Sequence, residues 1–143
     1  MPILQPKSSK HRKSFRGKMK GHSTRGNLVS FGEYGLRAME SHWITARQIE
    51  AVRKVVIRKF KKFGKLWIRI FPDKPITSKG TEFHMGHGKG DFSHYVYPVK
   101  SGRIMFEVGG IDEKLARELF KKATEKLPIK TKFVIKRGLN ENK

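Results

Sequence analysis

The sequence contains no cysteine, so neither disulfides nor thiolate metal ligands are available to it. It is also short of acids: 12 Asp and Glu stand against 33 Lys and Arg, a formal charge of +21. Self-repulsion on that scale opposes compact folding unless a polyanion neutralises it, which puts nucleic acid ahead of an acidic membrane surface as the partner. No apolar run approaches membrane-spanning length, and the N-terminus lacks the apolar core of a secretion signal. The expectation is a soluble, intracellular protein with no membrane partner. At 143 residues, one domain with a real hydrophobic core can be built.

The charge is unevenly placed. Lys7, Lys10, Arg12, Lys13, Arg16, Lys18, Lys20 and Arg25 precede the first acid, Glu33. Gly17, Gly21 and Gly26, with no helical apolar period, argue against a packed element there. Residues 1–26 therefore read as a basic extended arm, mobile when alone, that binds a polyanion, with Phe15 and Met19 to wedge or stack among bases. Composition also admits a solvated tail or a mitochondrial targeting peptide. Residues 27–143 read as a single αβ domain.

Within that domain, 27–40 shows short β-like alternation punctuated by Gly32 and Gly35. The clearest helix follows. Thr45 and Gln48 form a capping box and Gly64 stands where a C-terminal glycine belongs. Ile49, Val52, Val56, Phe60 and Phe63 recur at helical spacing as the core face, while Arg47, Lys54, Arg58, Lys61 and Lys62 form a basic stripe uninterrupted by acid. A second helix starts at Asp112, carries Leu115, Leu119, Ala123 and Leu127 inward, and stops at Pro128. Its outer face mixes signs at i,i+4 (Lys114 with Glu118, Glu118 with Lys122, Lys121 with Glu125), as a helix facing water does. The first helix has the pattern of one facing phosphates, although a solvated basic face has the same pattern.

Strands are expected at 65–71, 94–100, 103–108 and 131–136, with a hairpin around Ser101-Gly102 and Pro98 on an edge strand. The order strand, helix, strand, strand, helix, strand points to an α+β two-layer sandwich. Two helices pack on one face of a mainly antiparallel sheet in a split βαβ-like arrangement.

The segment 72–92 is too long for an ordinary connection and reads as a projecting loop. Its tip, HMGHGKGDFSH at 84–94, has three histidines among glycines. The glycines deny His84 and His87 a helix on which to share a metal, GHGKGD lacks the phosphate-loop spacing and hydroxyl, and GxGxG is not the dinucleotide fingerprint. No nucleophile–base–orienter set is visible, so neither an enzyme nor a cofactor is expected. What is left is a glycine-rich basic loop whose amides and Lys89 can approach phosphates closely, or an ordinary long hairpin-like loop with no partner.

LQPK at 4–7, RGKMKG at 16–21, VSFGEYGL at 29–36, ITARQIEAVRK at 44–54, GKLWIRIFPDKPIT at 64–77, MGHGKG at 85–90 and LPIKTKFV at 127–134 resemble, in order, the bacterial-type large-subunit ribosomal protein sixteen family. The resemblance spans essentially the whole chain. It implies a monomer within the ribosome that binds large-subunit ribosomal RNA and lies beside neighbouring ribosomal proteins. The long loop, His84, Met85, Gly86, His87, Gly88, Lys89 and Gly90, would contact transfer RNA at the aminoacyl and peptidyl sites and help organise the peptidyl-transferase region. The arm and the basic helix stripe would hold ribosomal RNA by its phosphates, with Phe15, Tyr34 or Trp43 meeting unstacked bases. Trp43 is equally placed to be a hydrophobic staple, and Trp67 reads as core or sheet face.

His84 replaces the usual arginine of the family loop and His87 its first lysine. Imidazole is a smaller donor than guanidinium, charged when phosphate raises its pKa, and it can stack instead. Because the family motifs begin almost at Met1, the expectation is a bacterial cytoplasm or an organelle-encoded copy rather than an imported protein. A free-standing nucleoid or RNA-chaperone protein would share the charge and the arm. A histidine-dependent nucleic-acid hydrolase would need a divalent metal.

Overall fold

The computed structural model describes residues 4–60, 63–80, 86 and 88–137. Among the described residues, seven strands and two helices follow one another as β1 (Tyr34–Ala38), β2 (His42–Thr45), α1 (Ala46–Phe60), β3 (Lys65–Ile68), β4 (Lys74–Ser78), β5 (Asp91–Val99), β6 (Ile104–Gly109), α2 (Glu113–Thr124) and β7 (Thr131–Ile135). All the pairings between these strands are antiparallel. They form a four-stranded sheet in the order β3-β6-β1-β7 and a three-stranded one in the order β2-β5-β4. The α+β sandwich expected from the sequence is the fold, with a second, smaller sheet beside the first.

The capping box forms as the residue types require. Thr45 N–H donates to Gln48 Oε1 at 2.9 Å and Gln48 N–H to Thr45 Oγ1 at 3.2 Å. Ile44 and Ile49, at the staple positions of this cap, are buried in the same core, so Ile44 rather than Trp43 fills that role. Helix α1 buries Ile49, Val52, Val56 and Phe60. Phe63 lies beyond the helix end and is 83% exposed, which corrects its placement on the core face. Gly64 is needed for space: a Cβ there would stand 2.4 Å from the Phe60 ring. Helix α2 is capped by Asp112, which accepts from Leu115 N–H, and buries Ala116, Leu119, Phe120 and Ala123. Its ion pair is Glu113–Arg117 at 2.9 Å, and the three expected i,i+4 pairs are not among those of the described residues.

Both helices share one core with Tyr34, Leu36 and Ala38 of β1 and Phe106 and Val108 of β6. Strand β6 is buried at all six positions, because the other sheet face is covered too. There the segment before β1 crosses: Phe31 stacks on Trp67 at 6.5 Å, and the N–H groups of Ser30, Phe31 and Gly32 converge on Glu107 Oε1 at 2.9, 2.8 and 3.0 Å. Glu107 is fully buried, and its Oε2 forms an ion pair with Arg69 Nη1 at 2.9 Å, off the hydrogen-bond axis.

The hairpin expected around Ser101-Gly102 does not form, because β5 and β6 enter different sheets. The turn donors are taken by the β1–β2 connection. Gly102 N–H reaches Ala38 O at 2.7 Å and Ser101 N–H reaches Ser41 Oγ at 3.1 Å. Pro98 likewise sits on the central strand of the small sheet, opposite Trp43. It is tolerated because β4 ends its pairing at Val96, leaving one flank of Pro98 with no ladder to break. The segment read as a loop from 72 contains β4, which pairs with β5 as a hairpin whose described tip residues are 79, 80, 86 and 88–90.

Candidate nucleic-acid interface

Among its described residues, 4–26, the arm carries no helix or strand, and one bridge joins His22 to Ser101. It lies along the small sheet through cations and carbonyls. Arg12 sits 5.7 Å from the centre of the Phe92 ring on β5. Lys74 on β4 donates to Arg16 O. Trp43 on β2 takes two cations, Lys74 at 4.9 Å and Arg16 at 5.9 Å from its ring centre. Further on, Gly26 O accepts from Ile104 N–H at 2.7 Å and Arg25 O from Arg103 Nη1 at 3.2 Å. Half-buried Trp43 is thus a seat for the arm.

Several of these contacts are made by arm carbonyls, and the arm's cations stay exposed even where the Arg12 and Arg16 guanidinium groups lie over rings. Lys7, Lys10, Arg12, Lys13, Arg16, Lys18, Lys20 and Arg25 are all exposed. So are Arg47, Lys54 and Arg58 on α1, whereas Lys61 and Lys62 lie outside the described residues. Arg47 lines a cleft with Gln5 and with Phe92–Tyr95, which joins the start of the helix stripe to the arm and β5. The stripe has one acid at its margin. Glu50 is gripped by Arg53 through Nε at 2.8 Å and Nη2 at 2.5 Å, and that bonding holds its carboxyl below the usual range. Lys54 adds a smaller attraction to the same carboxyl, and Arg58 forms no ion pair among those of the described residues.

The hairpin tip meets the arm. Lys13 Nζ donates to Lys89 O at 3.2 Å, and Lys89 Nζ donates to Ser14 O. Gly86 and Gly88 adopt φ of 108° and 86° with no heavy atom within 4 Å of a would-be Cβ, so backbone conformation alone demands glycine. Gly90 is needed for a different reason: a Cβ would stand 2.6 Å from Ser78 O. Lys79 donates to Gly86 O and closes the tip. His84, Met85 and His87 lie outside the described residues.

Of the aromatic candidates, Phe15 is 93% exposed on the arm. Tyr34 is buried and stacks on Phe133 at 5.5 Å, which removes it as a base platform: its β1 position faces the helices. Trp67 lies on the sheet face under Phe31, as expected. The residues that sequence reasoning missed are Lys74, Lys79 and Arg103, which tie down the arm and the tip. Lys74 lies between two prolines in a segment read as loop, and its partner Arg16 is 58 residues away. No local pattern marks it.

Fold and surface define a basic α+β domain whose arm, first helix and hairpin tip present cations outward. The chain belongs to the family described as "Ribosomal protein L16p/L10e", whose model matches residues 6–134. It is 58% identical over 132 residues to "Large ribosomal subunit protein uL16" of Thermosipho africanus, covering 92% of this chain and 93% of that protein. The protein of the same name from Lactobacillus johnsonii is 57% identical over 134 residues, covering 94% of this chain and 92% of its own. "Large ribosomal subunit protein uL16c" of Cyanidium caldarium is 54% identical over 132 residues, covering 92% and 94%. The chain is therefore a structural constituent of the large ribosomal subunit, part of the ribonucleoprotein that carries out translation, in a bacterial-type or organelle-type ribosome.

Proposed function

We propose that the chain binds large-subunit ribosomal RNA through the arm of residues 1–26 and the exposed cations of α1, and presents the β4–β5 tip to transfer RNA at the aminoacyl and peptidyl sites. The observation that carries this reading is the coupling of arm and tip. Lys13, Ser14 and Lys89 interlock across 75 residues of sequence while the arm's cations stay exposed. Clamping the arm on ribosomal RNA then fixes where the tip stands. Phosphate contacts position the protein, and Lys89 with the glycine backbone meets the second RNA. The protein acts as a monomer, with neighbouring ribosomal proteins and RNA around it, and supplies no catalytic group: reaction chemistry belongs to the RNA.

Large subunits reconstituted with Lys89→Gln test the division of labour. The variant should load at one copy per subunit and weaken transfer-RNA binding by several-fold. Equal transfer-RNA affinity for variant and parent subunits would contradict it. A free-standing nucleic-acid binder would instead bind any RNA or DNA alike, with no saturation on the subunit.

A further inference from the structure

A second basic surface lies at the edge of the large sheet and shares no residue with the arm, α1 or the tip. Strand β7 is an edge strand, paired only to β1. Its Phe133 and Ile135 face the helices, so Lys132, Val134 and Lys136 continue on the opposite face. The segment before β1 covers that face as far as Leu28 and Val29 and leaves a groove of about 420 Å³ between itself and β7. Arg37, Arg117, Lys132, Lys136 and Arg137 line it, and no acid does among the described residues. Lys132, Lys136 and Arg137 are exposed.

Two features of the groove suit the binding of an anion. Arg37 and Lys132 are direct cross-strand partners, and like charges placed opposite one another on a sheet repel. Arg37 donates through Nη2 to Asn27 O at 3.3 Å, but its buried Nε has no hydrogen-bond partner among the described residues. Arg117, 4.4 Å from the Phe133 ring centre and paired with Glu113, is fixed in place at the rim. Leu28, Val29 and Val134 supply an apolar floor.

We infer that this groove binds a phosphodiester backbone, a second RNA segment distinct from the one the arm holds. A cationic rim over an apolar floor suits phosphates flanking ribose and base, and the chain already belongs to a ribonucleoprotein. The phosphate would sit between Arg37 and Lys132 and replace their repulsion with two charge-assisted contacts. The protein would then bridge two RNA segments rather than anchor to one.

The test uses the full chain and protein-free large-subunit ribosomal RNA over a salt series. Four proteins are compared: the parent, Lys132→Gln/Lys136→Gln/Arg137→Gln, an arm variant with Arg12, Lys13 and Arg16 changed to Gln, and both sets together. The groove variant should lower the slope of log K against log salt by about two, at roughly 0.7 per single-strand phosphate contact. It should do so equally in the parent and arm-variant backgrounds. Its melting temperature should hold or rise, since the Arg37–Lys132 repulsion is relieved. An unchanged slope and affinity would overturn the groove while leaving the arm intact. A loss confined to the arm variant would support the arm alone and do the same. Retained RNA binding together with a polyglutamate peptide captured only by the parent would reassign the groove to an acidic protein segment and overturn the RNA reading.

Discussion

The Glu107 carboxylate holds three backbone N–H groups and one guanidinium in a place closed to water. Replacing it with alanine strands the three N–H groups and removes the ion pair from Arg69, whose Nη1 keeps Leu28 O at 2.6 Å, and breaking a buried pair of this kind costs about 3–5 kcal/mol. Arg69 retains some access to solvent, so Glu107→Ala should fall near the lower end, read from the shift in the urea midpoint. Glu107→Gln keeps a carbonyl for the three donors and should cost less. Equal midpoints for the parent and the alanine variant would show that the crossing segment is held by the Phe31–Trp67 stack and its other hydrogen bonds, such as Arg69 to Leu28 O, without Glu107. Glu50 makes a smaller, pH-dependent contribution. Its carboxyl is held low mainly by the hydrogen bonds from Arg53, so its stabilisation is present above the ordinary carboxylate value of 4.5 and fades as pH falls through the lowered one. Glu50→Gln should therefore cost about 0.2–0.5 kcal/mol at neutral pH, as an i,i+3 surface pair does, and nothing in strong acid. A difference that persists in strong acid would mean that packing, not charge, is responsible.

Helix α1 depends on its first turn, because its cap also ends β2 and sets the angle at which the basic face leaves the small sheet. Thr45→Ala should cost about 1 kcal/mol, and Gln48→Ala a fraction of that, measured by thermal melts. No change on either substitution would mean that Ile44 and Ile49 alone fix the helix start. Both helices were legible in the sequence because their apolar period and caps are local signals. Strands β1, β3, β5, β6 and β7 were legible singly but not in their pairing, and β2 and β4 were not legible as strands. The turn at Ser101-Gly102 reads as a hairpin until the β1–β2 connection takes its hydrogen bonds, a choice made by residues some 60 positions away. Strand β4, with a proline in KPITS, gives no alternation that a reader would trust. Glu107 in IMFEVG reads as solvent-facing until residues 30–32 are seen to cover it.

Across the whole molecule, the arm's charge was legible in the sequence, since eight cations precede any acid, and the RNA-binding role proposed for it rests on that charge. The arm's placement was not, because Lys13, Arg16, Lys74 and Lys89 meet only once the small sheet brings 13–16, 74 and 89 together. That meeting puts like charges side by side with only carbonyls between them, an arrangement that a bound polyanion stabilises and free solution does not. Isolated protein should accordingly show weak amide-exchange protection in residues 4–26, strengthened on binding RNA. Strong protection before RNA is added would mean that the arm is held by the body itself.

The central claim is that the arm's charges fix this protein to its subunit, and co-sedimentation tests it most directly. Salt-washed large subunits are offered the intact chain, or a chain with all eight arm cations changed to glutamine and Leu4 kept in the core. The intact chain should saturate near one copy per subunit and resist competitor RNA. The neutralised arm should bind more weakly, with a salt slope shallower by up to about six, at roughly 0.7 for each lost phosphate contact. If both chains bind with the same affinity and slope, the arm is not the anchor and the account is wrong.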